Sequence, residues 1–188
     1  MEWTKRIEQE INFEQRERRR PGWLALVVAL AIPLTVGGLS SLATRQAIPT
    51  WYRELRKPAW SPPRWLFAPV WTLLYLAMGV ASWRIWRRGA QTGLTERLWR
   101  RDRNSQVRGA LALYGLQLVL NGAWSLIFFG GRRIDLALGE IALLWATILA
   151  TLVRFYQIDP VAGWLLVPYQ AWVSFASLLN ATIWRLNR

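Results

Sequence analysis

The sequence predicts an all-α integral membrane protein, a bundle of five transmembrane helices. Three observations predict it. Five apolar runs, at 23–44, 65–86, 109–129, 136–156 and 161–184, approach or exceed the ~20 residues that cross a hydrocarbon core. The 24 Lys and Arg outnumber the 11 Asp and Glu, for a formal charge of +13, and they concentrate between the apolar runs rather than along one amphipathic face. That is how loops at lipid headgroups are charged, and it excludes the continuous basic surface of a nucleic-acid binder. Finally, 14 of 188 residues are tryptophan, whose broad apolar face and single N–H suit both membrane interfaces and stacking on flat ligands.

The elements follow in order. Residues 1–22 form an extension with six basic and five acidic side chains, in which Trp3, Ile7 and Ile11 recur every four residues. On a helix this makes a narrow apolar stripe, suited to lying at an interface, with Arg18, Arg19 and Arg20 favouring anionic headgroups. The transmembrane domain is expected over 23–188. Its first run follows a basic segment and ends near Ser41, Leu42 and Ala43, like a secretory signal, but it exceeds the usual ~7–15-residue apolar region and is read as a retained helix.

The loop and helix start at 51–75 are the most informative stretch, with four tryptophans and four prolines between two membrane-length runs. Ordinary inter-helix loops are short and polar, so this one reads as a folded lid over a ring-binding pocket. Lys and Arg number fourteen on the side of the N-terminus and nine on the other, which favours a cytoplasmic N-terminus and an external C-terminus. No 20- to 50-residue repeat and no inverted pair of broken helices supports a two-fold transporter architecture.

The absence of His and Cys removes the commonest metal ligands, thiolate and imidazole nucleophiles, disulfides and the usual proximal haem ligands. Asp135, Glu140 and Asp159 are scattered near helix ends, which gives no paired carboxylates for acid–base work. Glu140 and Arg84 lie close enough to an interface to snorkel.

At ~100° per residue, Phe67, Trp71, Tyr75, Met78 and Ser82 share a face of the second span, Gln117, Asn121 and Trp124 a face of the third, and Tyr169, Trp172, Ala176 and Asn180 a face of the fifth. These faces can converge on one pocket, with Trp51 and Trp60 from the lid and Trp145 from the fourth span. The amides are expensive in a bilayer unless bonded, so they either join helices or meet a polar ligand group. Opposite the pocket face of the third span, Ala112, Gly115, Gly122 and Ala123 would let another helix approach, either within the bundle or in a homodimer. Gly37 and Ser41 form a weaker pair of the same kind.

Three segments carry a resemblance: KPAWSPPRWLFAPVWTLLYLAMG from Lys57, ALYGLQLVLNGAWSLIFFG from Ala112 and VPYQAWVSFASLLNATIWRLN from Val167. With them the chain resembles the TspO/MBR family of tryptophan-rich sensory and translocator proteins, over nearly everything from Trp23 to Arg188. The resemblance implies a five-helix bundle, usually a homodimer, whose cavity under the first loop binds porphyrins such as protoporphyrin IX, with Trp71, Asn121, Trp172 and Ala176 at pocket positions and Tyr75, Trp124 and Asn180 on the same faces. It implies a role in porphyrin sensing, sequestration or transport under stress. Light-dependent porphyrin degradation and a membrane interaction module with incidental ligand are the alternatives. No cofactor is obligatory, and without histidine a free-base porphyrin or linear tetrapyrrole suits the chain better than ligated haem iron. The sterol motif of mitochondrial members keeps Leu179 and Arg185, but Ala181 replaces its tyrosine, so sterol recognition through it is not implied. Phe155 stands where a Trp is common.

Overall fold

The computed structural model describes residue 3 and residues 22–90 and 100–188. The interfacial helix expected in 1–22 lies outside the described residues apart from Trp3, as does part of the basic loop between the second and third spans. Seven helices are seen among the described residues: α1 (Gly22–Ala47), α2 (Trp51–Glu54), α3 (Arg64–Ala90), α4 (Arg100–Ser125), α5 (Ile134–Ile158), α6 (Pro160–Trp164) and α7 (Val167–Leu186). Five segments are long and apolar enough to cross a membrane: Gly22–Leu42, Arg64–Gly89, Asn104–Gly130, Ile134–Ile158 and Pro160–Leu186. The protein is therefore a multi-pass integral membrane protein, and the lipid bilayer is its solvent. Trp23, Trp65, Trp86 and Trp164 are exposed near the ends of these spans, where indoles anchor at headgroups.

The packing order around the bundle is α1 against α3 and α4, α4 against α5, and α5 against α7. The α1/α3 seam is close because α3 carries Gly79: a Cβ there would lie 2.8 Å from the Ala29 carbonyl oxygen and the Leu30 Cα. Pro33, inside α1, has no N–H to give that same Ala29 carbonyl, so the oxygen freed by the proline faces the glycine of the neighbouring helix. One turn nearer the lid, Gly37 lies directly against the ring of Tyr75. By contrast, α3 and α7 barely approach at the backbone.

Three local features depart from five simple spans. The lid contains one helical turn, α2. Helix α4 ends in a π-helical turn at Leu126–Gly130, closed by the Gly131 N–H on the Leu126 carbonyl at 2.7 Å and followed by Arg132 at φ 54°. The last span is broken into α6 and α7 at Leu165 and Leu166. Asp159 begins α6 as its N-cap, accepting from the N–H groups of Val161 and Ala162, with Pro160 in the first turn where its missing N–H costs nothing.

Asp159 also ties this end of the molecule together. Its side chain is 3% exposed and receives Arg84 at 3.0 Å and Arg88 at 3.1 Å. Arg84 was expected to snorkel and instead binds this carboxylate. Burial alone would raise the Asp159 carboxyl, but hydrogen bonds from Arg84, Arg88 and the Ala162 N–H outweigh it and hold the group below its ordinary value.

Candidate functional site

Where α3 and α7 separate, aromatic rings span the gap. Because the two helices run antiparallel, the contacts form a ladder descending from the lid: Trp60 on Phe175 at 5.7 Å, Phe67 on Trp172 at 5.8 Å and Trp71 on Tyr169 at 6.2 Å between centroids, all edge to face. Such pairs tolerate a range of angles and separations. An apolar groove of about 510 Å³ runs along the outer side of this ladder, lined by Val70, Leu73, Leu74, Pro168, Ala171, Trp172 and Phe175.

At the foot of the ladder the three expected faces meet. Trp71 stacks on Tyr75 at 5.3 Å. The Tyr75 hydroxyl donates to Asn121 Oδ1 at 2.9 Å, and Asn121 Nδ2 donates to the Tyr169 hydroxyl at 3.0 Å. All three are buried. Asn121 on α4 thus bonds one tyrosine from α3 and one from α7, which makes this amide inter-helix glue.

The other polar residues differ. Gln117 is buried with its Nε2 3.9 Å from Met78 Sδ and its Oε1 unpartnered. Asn180 is 1% exposed and neither amide atom has a protein partner; the Trp124 indole N–H and both Glu140 carboxyl oxygens are likewise buried without one. Buried polar groups are nearly always bonded, so this concentration on α4, α5 and α7 marks hydrogen-bonding capacity that the protein does not use internally. Glu140 is half-buried, not extended to an interface.

The lid closes the same end. Lys57 Nζ reaches the carbonyls of Tyr52 at 2.6 Å and Leu55 at 2.9 Å, capping α2 where its C-terminal carbonyls would otherwise be unmet. Trp51 and Tyr52 meet Phe128 edge-on at 5.8 and 6.2 Å, while Trp124 stacks on Phe128 at 5.0 Å. Trp51, Phe128, Leu179 and Ile183 belong to one apolar cluster beneath the loop.

Of the residues expected at the site, Trp71, Tyr75, Asn121 and Tyr169 form one linked group, and Phe67 and Trp172 form the ring pair on its lid side, with Trp60 on Phe175 beyond them. Trp51 and Trp124 sit beneath the lid beside Phe128. Ala176 packs at the edge of the main core cluster. Trp145 is set apart: its indole N–H donates to Ser174 Oγ at 2.7 Å in an exposed α5/α7 seam. The small-residue face of α4 is divided, since a Cβ at Gly122 would meet Val36 and Ser40 of α1 at 3.6 and 3.8 Å, whereas Gly115 has nothing within 4 Å and Ala112 is exposed. Phe128, Phe129 and Phe175 are missing from the expected set, although Phe128 falls four residues after Trp124, on the same face by ordinary helical spacing, and stacks on it.

Comparison with known proteins agrees with this architecture. A model of the TspO/MBR family matches residues 29–185. The chain is similar to the translocator protein of Sus scrofa, 40% identical over 168 residues that cover 89% of this chain and 93% of that one. It is similar to the tryptophan-rich protein TspO of Chlorobaculum tepidum, 39% identical over 164 residues covering 87% and 96%. It also resembles the tryptophan-rich sensory protein of Cereibacter sphaeroides, 35% identical over 168 residues covering 88% and 90%. The five spans, the tryptophan-rich first loop and a match over nearly the whole transmembrane domain lead to one conclusion: the chain belongs to the TspO/MBR family.

Proposed function

We propose that the protein binds a tetrapyrrole, protoporphyrin IX or a close relative, between α3, α4 and α7 beneath the lid, and uses it in porphyrin sensing, sequestration or transport under stress. The observation that carries this reading is the ring ladder beside unused polar groups. Trp71, Trp172 and Phe67 offer faces and edges to a flat macrocycle, and Asn180 and the Trp124 N–H offer bonds to its polar periphery. Family membership supports the same reading. The ring is a ligand here, not an obligatory cofactor.

Titration of detergent-purified protein with protoporphyrin IX in the dark tests it. Saturable quenching of tryptophan emission is expected, weakened by Trp71→Phe and by Trp172→Phe; quenching that never saturates overturns the reading. Repeating the titration in light tests a second reading, photochemical degradation of the ring, favoured by the stack of Trp71 on Tyr75 and the hydroxyl–amide chain leading from it. Loss of the porphyrin spectrum in light alone, abolished by replacing Trp124 or Trp172, selects it. The open side of α4 at Ala112 and Gly115 supports a homodimer, for which a mass of two chains is expected in light scattering and of one chain after Gly115→Trp. The charge bias supports a cytoplasmic N-terminus.

A further inference from the structure

Two kinds of contact hold the lid. Ring contacts of Trp51, Tyr52 and Trp60 can slide and re-form at several angles. Asn187 makes the second kind. Its Oδ1 accepts from the Arg56 N–H at 2.9 Å, while its Nδ2 donates to the Arg56 carbonyl at 2.9 Å and to the Ile183 carbonyl at 2.7 Å. One side-chain amide thus pairs with both backbone groups of a residue 131 positions away, as a neighbouring strand would, while completing the C-terminus of α7. Hydrogen bonds of this length weaken steeply with misalignment, so the pairing confines Arg56 more narrowly than the ring contacts confine the rest of the lid. Arg56 directly precedes Lys57, which caps α2, so fixing Arg56 also fixes the turn that carries Trp51 and Tyr52.

We propose that Asn187 is the positioning residue of the lid: its amide latches Arg56 to the end of α7, and ligand enters or leaves the proposed site between α3, α4 and α7 only when this pairing opens. The latter half rests on the ligand binding there; the former does not. Because the lid contributes only main-chain groups, the latch depends on the residue at 187. An amide supplies both donor and acceptor, aspartate only the acceptor, and alanine neither.

Amide hydrogen exchange on the ligand-free full chain, followed by stopped-flow binding of protoporphyrin IX in the dark, tests both halves. In Asn187→Ala, exchange at residues 51–57 is expected to rise about tenfold, with Asn187→Asp between it and wild type, while the α5 amides stay unchanged as a gauge of global stability. Association and dissociation rates should rise together, so that affinity changes less than either. Since the chain has no cysteine, Arg56→Cys/Asn187→Cys supplies a covalent latch that should slow both rates when oxidised and release them on reduction. Unchanged exchange at 51–57 in Asn187→Ala overturns the latch. Raised exchange with unchanged porphyrin rates overturns its role as the gate. If wild type binds no porphyrin, the ligand reading and the gate fall together, and the exchange data still decide the latch.

Discussion

The two sides of α3 are built on opposite principles. Toward α1 and α6 the helix is anchored: Gly79 admits the Ala29 carbonyl, Gly37 receives the ring of Tyr75, and Arg84 and Arg88 hold the buried Asp159. Toward α7 it is held through aromatic edges, above a single chain of buried hydrogen bonds. In a bilayer, apolar side chains gain little by leaving lipid for protein, so close packing and polar bonds decide which helices stay together. Under the proposed function this side is the one that accommodates the ring, and aromatic edges that tolerate several angles suit that.

If this contrast is right, substitutions on the anchored side act on stability and those on the ladder act on binding. The largest effect is expected from Asp159→Ala, which removes two arginine partners and two backbone caps. Thermal unfolding in detergent should show a loss of about 3 kcal/mol, at the low end for a broken buried pair because the arginines retain solvent. The carboxyl is held below its unfolded value near 3.9, so its contribution is fully present above about pH 4 and lost as pH falls through the folded value. Asp159→Asn should abolish that acid dependence while keeping the α6 cap. A wild-type-like acid profile in Asp159→Asn would break the anchored half of the contrast.

Next comes Gly79→Ala. Two of the three atoms that a Cβ would meet at 2.8 Å are backbone, so α1 and α3 must separate, at about 1–3 kcal/mol. Tyr169→Phe should cost about 1 kcal/mol by leaving Asn121 Nδ2 buried and unbonded, and it also weakens porphyrin binding, because this chain lies at the foot of the ladder. Smallest in stability is Trp172→Phe, expected within about 0.5 kcal/mol of wild type, yet with porphyrin affinity lowered roughly tenfold, equivalent to about 1.4 kcal/mol. A large stability loss without a binding loss at Trp172 would erase the distinction between the two sides.

Much of this was legible in the residues. Helical spacing placed Phe67, Trp71 and Tyr75 on one face, and Tyr169 and Trp172 on another, and both are where the ladder runs. The same spacing turns Gln117 and Asn121 toward the face that carries Met78 and Tyr75, and both meet it, but only Asn121 bonds two neighbouring helices. It grouped Gly122 with Gly115, although one meets α1 and the other nothing. A helical wheel gives the direction of a side chain but not the helix it encounters. Trp145 shows the same limit: spacing gives its depth in the span, but the neighbour it reaches, Ser174, lies in an exposed seam.

Apolar run length, charge between the runs and aromatic spacing by themselves determined the number of spans, the existence of a structured first loop and the faces that carry rings. These are local properties, set by the ~1.5 Å rise per residue and the thickness of the hydrocarbon core. Only the tertiary structure decided that α3 is anchored on one side and ring-bridged on the other, that Asp159 binds arginines 75 and 71 residues away, and that the amide of Asn187 closes on Arg56. Each joins groups far apart in the chain through bonds sensitive to fractions of an ångström, and that precision arises only once the helices have packed.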